Sequence, residues 1–176
     1  AVNLATGDRT IVSDSAIGTG LALVSPGGIA IDGGRALVLD AERIVAVDLL
    51  TGNRSTVSDA LVGGGPAFVA PGSIAVDGTR ALVADVSLNA IISVDLQSGD
   101  RAFLSSEGFL FLSGIAVDGN AAFVADTNLQ AILALDLLTG EATTYYQGGA
   151  FFYPQWLALD GDRMLGVQIG DKGVGA

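Results

Sequence analysis

Pro26-Gly27-Gly28-Ile29-Ala30-Ile31-Asp32-Gly33 is the stretch from which the fold can be read, because the chain repeats it. Ile29-Ala30-Ile31-Asp32-Gly33 returns as Ile74-Ala75-Val76-Asp77-Gly78, as Ile115-Ala116-Val117-Asp118-Gly119 and as Leu157-Ala158-Leu159-Asp160-Gly161. The repeated Asp recurs at intervals of 45, 41 and 42 residues. Ala36-Leu37-Val38-Leu39-Asp40 returns at 81–85 and 122–126, and decays to Met164-Leu165-Gly166-Val167-Gln168. Val47-Asp48-Leu49 returns as Val94-Asp95-Leu96 and Leu135-Asp136-Leu137, with Val2-Asn3-Leu4 as its first copy. Thr51-Gly52-Asn53-Arg54 matches Thr6-Gly7-Asp8-Arg9, Ser98-Gly99-Asp100-Arg101 and Thr139-Gly140-Glu141.

Each copy reads as four short strands rich in Val, Ile, Leu and Ala, broken by Asp-Gly or Thr-Gly turns. No segment holds a 3.6-residue period, so almost no helix is expected. Four strands in a period of 40-odd residues is a β-propeller blade. The fold class predicted is therefore all-β, a propeller of about four four-stranded blades. In the first full blade the strands fall near 28–32, 36–40, 43–49 and 54–58, from axis to rim. One domain, 1–176, is expected, with repeats at 27–58, 72–105 and 113–146. The last blade combines about 1–14 with 155–168. Residues 1–4 and 9–13 supply the outer pair of strands, and 156–160 and 163–168 the inner pair. The two halves can complete one sheet within a chain, or between two chains as a head-to-tail homodimer. The chain can also be part of a larger ring.

Composition narrows the chemistry. The 176 residues include no Cys and no His, which excludes disulfides, thiolate nucleophiles, Cys/His zinc sites and imidazole-based triads. Sixteen Asp and three Glu against seven Arg and Lys172 give a net charge of −11. That charge argues against nucleic acid and anionic membrane surfaces as partners. The apolar runs are too short to cross a bilayer as helices. A secreted protein, periplasmic or extracellular, is expected.

The succession Pro26-Gly27-Gly28-Ile29-Ala30-Ile31-Asp32, Ala36-Leu37-Val38-Leu39-Asp40, Ile44-Val45-Ala46-Val47-Asp48-Leu49 resembles the NHL-repeat pattern. That family belongs with the TolB-like and gluconolactonase/regucalcin-like propellers. The resemblance covers nearly the whole chain and implies the propeller fold. It leaves function open, since the superfamily includes binding scaffolds, lactonases and lyases. Such relatives usually have six blades, where this chain supplies four.

Several residue sets are candidates for function. Asp32, Asp77, Asp118 and Asp160 form either an acidic ring for a cation or, as perfect repetition favours, turn residues of their Asp-Gly hairpins. Asp40, Asp85 and Asp126 end the second strand of each blade, near Asn89 and Asn128. The gluconolactonase resemblance implies a divalent metal, Ca²⁺ for example, held by Glu, Asn and Asp oxygens near the channel top. Asp40, Asp85, Asp126 and Glu107 are this chain's candidates for it. Gln168 breaks the set and no Glu opens an inner strand, so no cofactor is the primary expectation. Arg9, Arg54 and Arg101 follow the Thr-Gly turns and either bind an anion or, as is favoured, pair with acids of neighbouring turns, with Glu141 taking their place in the fourth copy.

The repeat breaks most visibly in its aromatics. Early junctions are small: Gly18, Gly20, Gly63–Gly65. Later ones carry Phe109, Phe111, Tyr145, Tyr146, Phe151, Phe152 and Tyr153, and Trp156 replaces the small residue at Gly28, Ser73 and Gly114. These aromatics either plug the channel or form a recognition surface at its mouth. Three functions fit: a non-enzymatic scaffold binding a protein or small-molecule ligand there, a metal-dependent hydrolase or lactonase, or a structural unit of a larger assembled propeller. The first is favoured, because nothing in the sequence marks a carboxylate shifted for acid–base work near neutral pH.

Overall fold

The computed structural model describes residues 1–148 and 153–168, and every regular element among them is a β-strand. β1 (Pro26–Asp32), β2 (Arg35–Asp40), β3 (Arg43–Asp48) and β4 (Arg54–Ser58) form the first antiparallel sheet, paired in chain order. β5 (Pro71–Asp77), β6 (Arg80–Asp85), β7 (Ala90–Asp95) and β8 (Arg101–Ser105) form the second. β9 (Leu112–Asp118), β10 (Ala121–Asp126), β11 (Ala131–Asp136) and β12 (Ala142–Gln147) form the third. β13 (Pro154–Asp160) and β14 (Arg163–Gln168) make a two-stranded fourth. The all-β propeller architecture follows directly from the repeat.

The innermost strands pack in series, β1 on β5, β5 on β9 and β9 on β13. The core lies between blades. Leu37, Leu39, Ile44 and Ala46 of the first meet Ala81, Val83, Ile92 and Val94 of the second. Leu82, Ala84 and Ile91 on the second blade's other face meet Ala122, Val124, Leu133 and Leu135 of the third. Both faces of β6 are thus covered, and the second face of β2 packs Ala36 and Val38 with Val12 and Leu23, which is why these strands read as unbroken apolar runs and not as alternation. The first and second strands of each blade turn through two residues, as between Asp32 and Arg35. Gly33 has φ 57° there, a value L-residues resist and a type II′ turn demands at its first central position.

Residues 1–12 differ from expectation. They form the third-to-fourth-strand turn but not the strands. Asn3 N–H donates to Asp8 O at 2.8 Å and Gly7 N–H to Asn3 O at 2.7 Å, as Asp48 does to Asn53 and Gly52 to Asp48. Only the isolated bridge Val2–Arg9 extends it. A lone two-stranded ribbon is marginal without a sheet beside it. Among the described residues no third strand pairs with β14, so the N-terminal segment does not complete the fourth sheet within the chain.

Candidate functional site

The aspartates ending β2, β6 and β10 are fully buried, and each is surrounded by N–H donors. Asp40 Oδ1 accepts from Val24 and Ser25 at 2.7 and 2.6 Å. Asp85 accepts from Val69, Ala70 and Leu88. Asp126 accepts from Leu110, Phe111, Asn128 and Leu129 at 2.7–3.1 Å. Each carboxylate fastens the loop entering its blade to the end of its second strand. Oxygens facing N–H groups in three separate blades do not converge on a cation. Asn89 has φ 48° and its side chain turns to backbone carbonyls, and Glu107 lies in the loop between β8 and β9. Among the described residues no three acidic side chains gather in metal-binding geometry. Burial raises the pKa of Asp40. The hydrogen bond from Arg43 and those from Ser25 and Val24 outweigh it, and the net shift is downward.

The Asp-Gly aspartates serve their hairpins. Asp32 and Asp77 pair with Arg35 and Arg80 at 2.8 Å, and Asp160 pairs with Arg163. Asp118 faces Ala121 at that place and has no such arginine. The aspartates ending the third strands cap the next turn. Asp48 Oδ1 accepts from Thr51 N–H at 2.7 Å and Leu50 N–H at 3.0 Å, and Asp95 and Asp136 repeat the pattern. These bonds to the ionised form hold all three carboxyls below their ordinary range.

The arginines after the Thr-Gly turns do not seek acids as expected. Arg101, nearly buried, sends its guanidinium to Ser58 Oγ, Asp59 O, Val62 O and Pro66 O. Its carbon Cζ lies 5.5 Å from the centre of the Phe68 ring. Arg54 repeats this on Ser13 Oγ and the carbonyls of Asp14, Ile17 and Leu21. A guanidinium offers five donors in a fixed fork, enough to satisfy several carbonyls that a loop over the rim leaves unpaired. Register also corrects the third copy. Val47 faces Arg54, Val94 faces Arg101, and Leu135 faces Ala142. Ala142, not Glu141, replaces the arginine. Glu141 is the counterpart of Asn53 and Asp100.

The aromatic residues separate into distinct places. Phe109 is buried in the second interblade core, in the position Phe68 holds one blade earlier. It packs and is not a surface residue. Tyr145 and Tyr146 lie in β12, the outermost strand, so they belong to the rim and not the mouth. Tyr145 sits edge-to-face on Phe123 with centroids 4.9 Å apart. Phe151 and Phe152 fall outside the described residues. Phe111 and Tyr153, 41% and 46% exposed, immediately precede the inner strands β9 and β13, where Ser25 and Ala70 precede β1 and β5. Trp156, 56% exposed, stands at the place of Gly28, Ser73 and Gly114. A Cβ on Gly114 would come within 2.7 Å of Gln155 O, because the next inner strand passes there. Trp156 carries a ring at the equivalent place in β13. On the small-residue side, a cavity of about 550 Å³ opens between Pro26-Gly27 and Ala70-Pro71. Phe111, Tyr153 and Trp156 thus stand exposed at the starts of β9 and β13, where β1 and β5 carry Gly, Ala, Ser and Pro. The loop-length difference between 59–70 and 106–111 was the sequence signal for the altered third junction.

No family model and no curated protein matches the chain. Solved structures do. A chain of the nidogen/laminin complex superposes with a TM-score of 0.76 at 18% identity, over 95% of this chain and 62% of that one. The computationally designed Ika4 protein matches at 0.58 and 16% identity, over 84% and 92%. The designed Ika8 protein matches at 0.58 and 16%, over 80% of this chain and 42% of its own. The present chain thus spans less than two thirds of the nidogen/laminin-complex chain. At these identities the likeness establishes the β-propeller fold.

Proposed function

We propose that this propeller is a non-enzymatic interaction scaffold that docks a protein partner at its aromatic mouth. The observation that carries this is the exposure of Phe111, Tyr153 and Trp156 on inner-strand entries where the first blades place small residues. Exposed aromatic rings supply large apolar contact at low entropic cost, and they dominate protein interfaces. The absence of His and Cys and the engagement of the buried carboxylates by N–H groups favour binding over acid–base or metal chemistry. The likeness to a chain of the nidogen/laminin complex supports a protein partner. The repeat pattern supports an NHL-like ancestry for the blades, and the charge of −11 supports a secreted setting.

The test is affinity capture with the purified chain, in parallel with a Phe111→Ala/Tyr153→Ala variant. The expected result is a protein retained by the first and lost by the second, with both equally stable to heat. Equal retention by both would remove the mouth as the docking surface.

A further inference from the structure

In the first two junctions the rim is closed twice over, by a loop and by an arginine. The loop between β4 and β5 takes twelve residues, 59–70, and the segment before β1 runs the same course on the first blade. Arg101 N–H donates to Gly64 O at 2.8 Å, and Gly64 N–H donates to Asp100 Oδ1 at 2.7 Å. Arg54 N–H and Thr19 O, with Thr19 N–H and Asn53 Oδ1, repeat the pair one blade earlier. The arginine side chain then enters the carbonyl cradle of that loop.

The third junction lacks both parts. Only six residues, 106–111, join β8 to β9, and Ala142 stands where the arginine would be. An open cleft of about 490 Å³ remains at the rim, lined by Ser105, Ser106, Glu107, Gly140, Glu141 and Ala142. The strand-side groups of the other junctions are kept there, while the loop carbonyls that take the guanidinium are gone and Glu107 lies in their place. Ser105 follows Leu104 as Ser58 follows Val57, and Gly140 meets Leu104 O as Gly99 meets Val57 O. Glu141 offers its carboxylate where Asp100 holds a loop N–H. Ala142 lies on the strand edge where Arg101 N–H meets a loop carbonyl.

We infer that this rim cleft binds an arginine side chain presented on an extended segment of a protein partner. The inference deepens the scaffold function proposed above and rests on it for the partner being a protein. The bound segment donates an N–H to Glu141 and accepts from Ala142 N–H, as Gly64 does at Asp100 and Arg101. Its guanidinium fills the volume that Ala142 leaves beside Ser105. Glu107 and Glu141 supply charge in place of the lost carbonyls. Arginine is preferred to lysine because the surrounding acceptors suit a planar fork of donors and not a point charge.

The probe is an acetylated, amidated tetrapeptide of three glycines and one arginine, titrated by calorimetry into the whole chain and followed by the amide shifts of Gly108, Gly140 and Ala142. Saturable binding is expected, about tenfold weaker for the lysine peptide and absent for the citrulline peptide. Glu107→Gln and Glu141→Gln should each weaken it about tenfold. Ala142→Arg should refill the cleft and abolish binding, and Ala142→Ser should not. If Ala142→Arg does not fold, the two glutamine variants decide. Equal binding of arginine and citrulline peptides, or no binding to the wild-type chain, overturns the inference. The Phe111→Ala/Tyr153→Ala variant should bind the peptide normally. Retention of the partner by that variant would sink the mouth alone, and capture lost in that variant with no peptide binding to the wild-type chain would sink the cleft alone.

Discussion

Replacing Asp126 by Asn tests the buried aspartate as a fastening. The carboxylate is fully buried and accepts N–H bonds from Leu110, Phe111, Asn128 and Leu129. Asparagine is nearly isosteric, so no cavity forms. It keeps one acceptor oxygen and turns an NH₂ group toward N–H donors. At least two backbone donors then lose a charged acceptor. Hydrogen bonds to charged groups are worth about 1.5–3 kcal/mol each, and a buried donor left unpaired costs about 1–3 kcal/mol. The expected loss is about 3–5 kcal/mol. For a chain of this size that lowers Tm by about 6–20 °C. Urea unfolding at neutral pH followed by Trp156 fluorescence measures the loss. Amide exchange should localise it to Leu110, Phe111 and Leu129. The control is Asp118→Asn at an exposed hairpin turn, expected to change stability by less than about 0.5 kcal/mol. If the two substitutions cost the same, Asp126 does not fasten its loop.

Gly63→Ala and Gly78→Ala should separate close approach from backbone conformation. A Cβ on Gly63 would lie 1.9 Å from Gly99 O, whereas one on Gly78 would meet nothing within 4 Å, yet both have positive φ. Gly78→Ala should therefore cost about 1 kcal/mol from conformation alone, and Gly63→Ala markedly more. Equal melting temperatures for the two would contradict the packing of that loop on the rim. Acidification should destabilise the chain. Asp40, Asp48, Asp95, Asp100 and Asp136 have folded pKa values below the ordinary carboxylate range. The folded state thus binds fewer protons than the unfolded one. Their stabilisation is complete above the unfolded carboxylate pKa and declines as pH falls through it to the lowered values. A urea midpoint that holds or rises between pH 6 and pH 3 would be inconsistent with these capped turns.

The blades were legible because each strand carries its signal locally. Ile29-Ala30-Ile31-Asp32-Gly33 names a strand and its turn, and three recurrences fix the period. The fastening role of Asp40, Asp85 and Asp126 was half legible. Their recurrence marked a turn residue, but their partners lie 15 or 16 positions upstream, in a segment that the first two blades share as Val24-Ser25-Pro26 and Val69-Ala70-Pro71 and the third replaces by Leu110-Phe111-Leu112. Arg54 and Arg101 were misassigned because charge suggests carboxylate partners, while in the fold a long loop brings unpaired carbonyls closer. Phe109 looked like a mouth residue. Counting back from Asp126 instead aligns it with the buried Phe68.

The sequence alone determined the strands, their turns and their repetition, since β-propensity, glycine at positive φ and apolar runs act over a few residues. It also determined which chemistry is impossible, because absent His and Cys cannot be supplied by folding. Tertiary structure alone decided which aspartates meet N–H groups, which aromatics stay exposed and where the rim stands open. Those outcomes depend on how one blade's loop lands on the next, and a recurring loop segment such as Gly18-Thr19-Gly20 or Gly63-Gly64-Gly65 does not itself name the strand it meets.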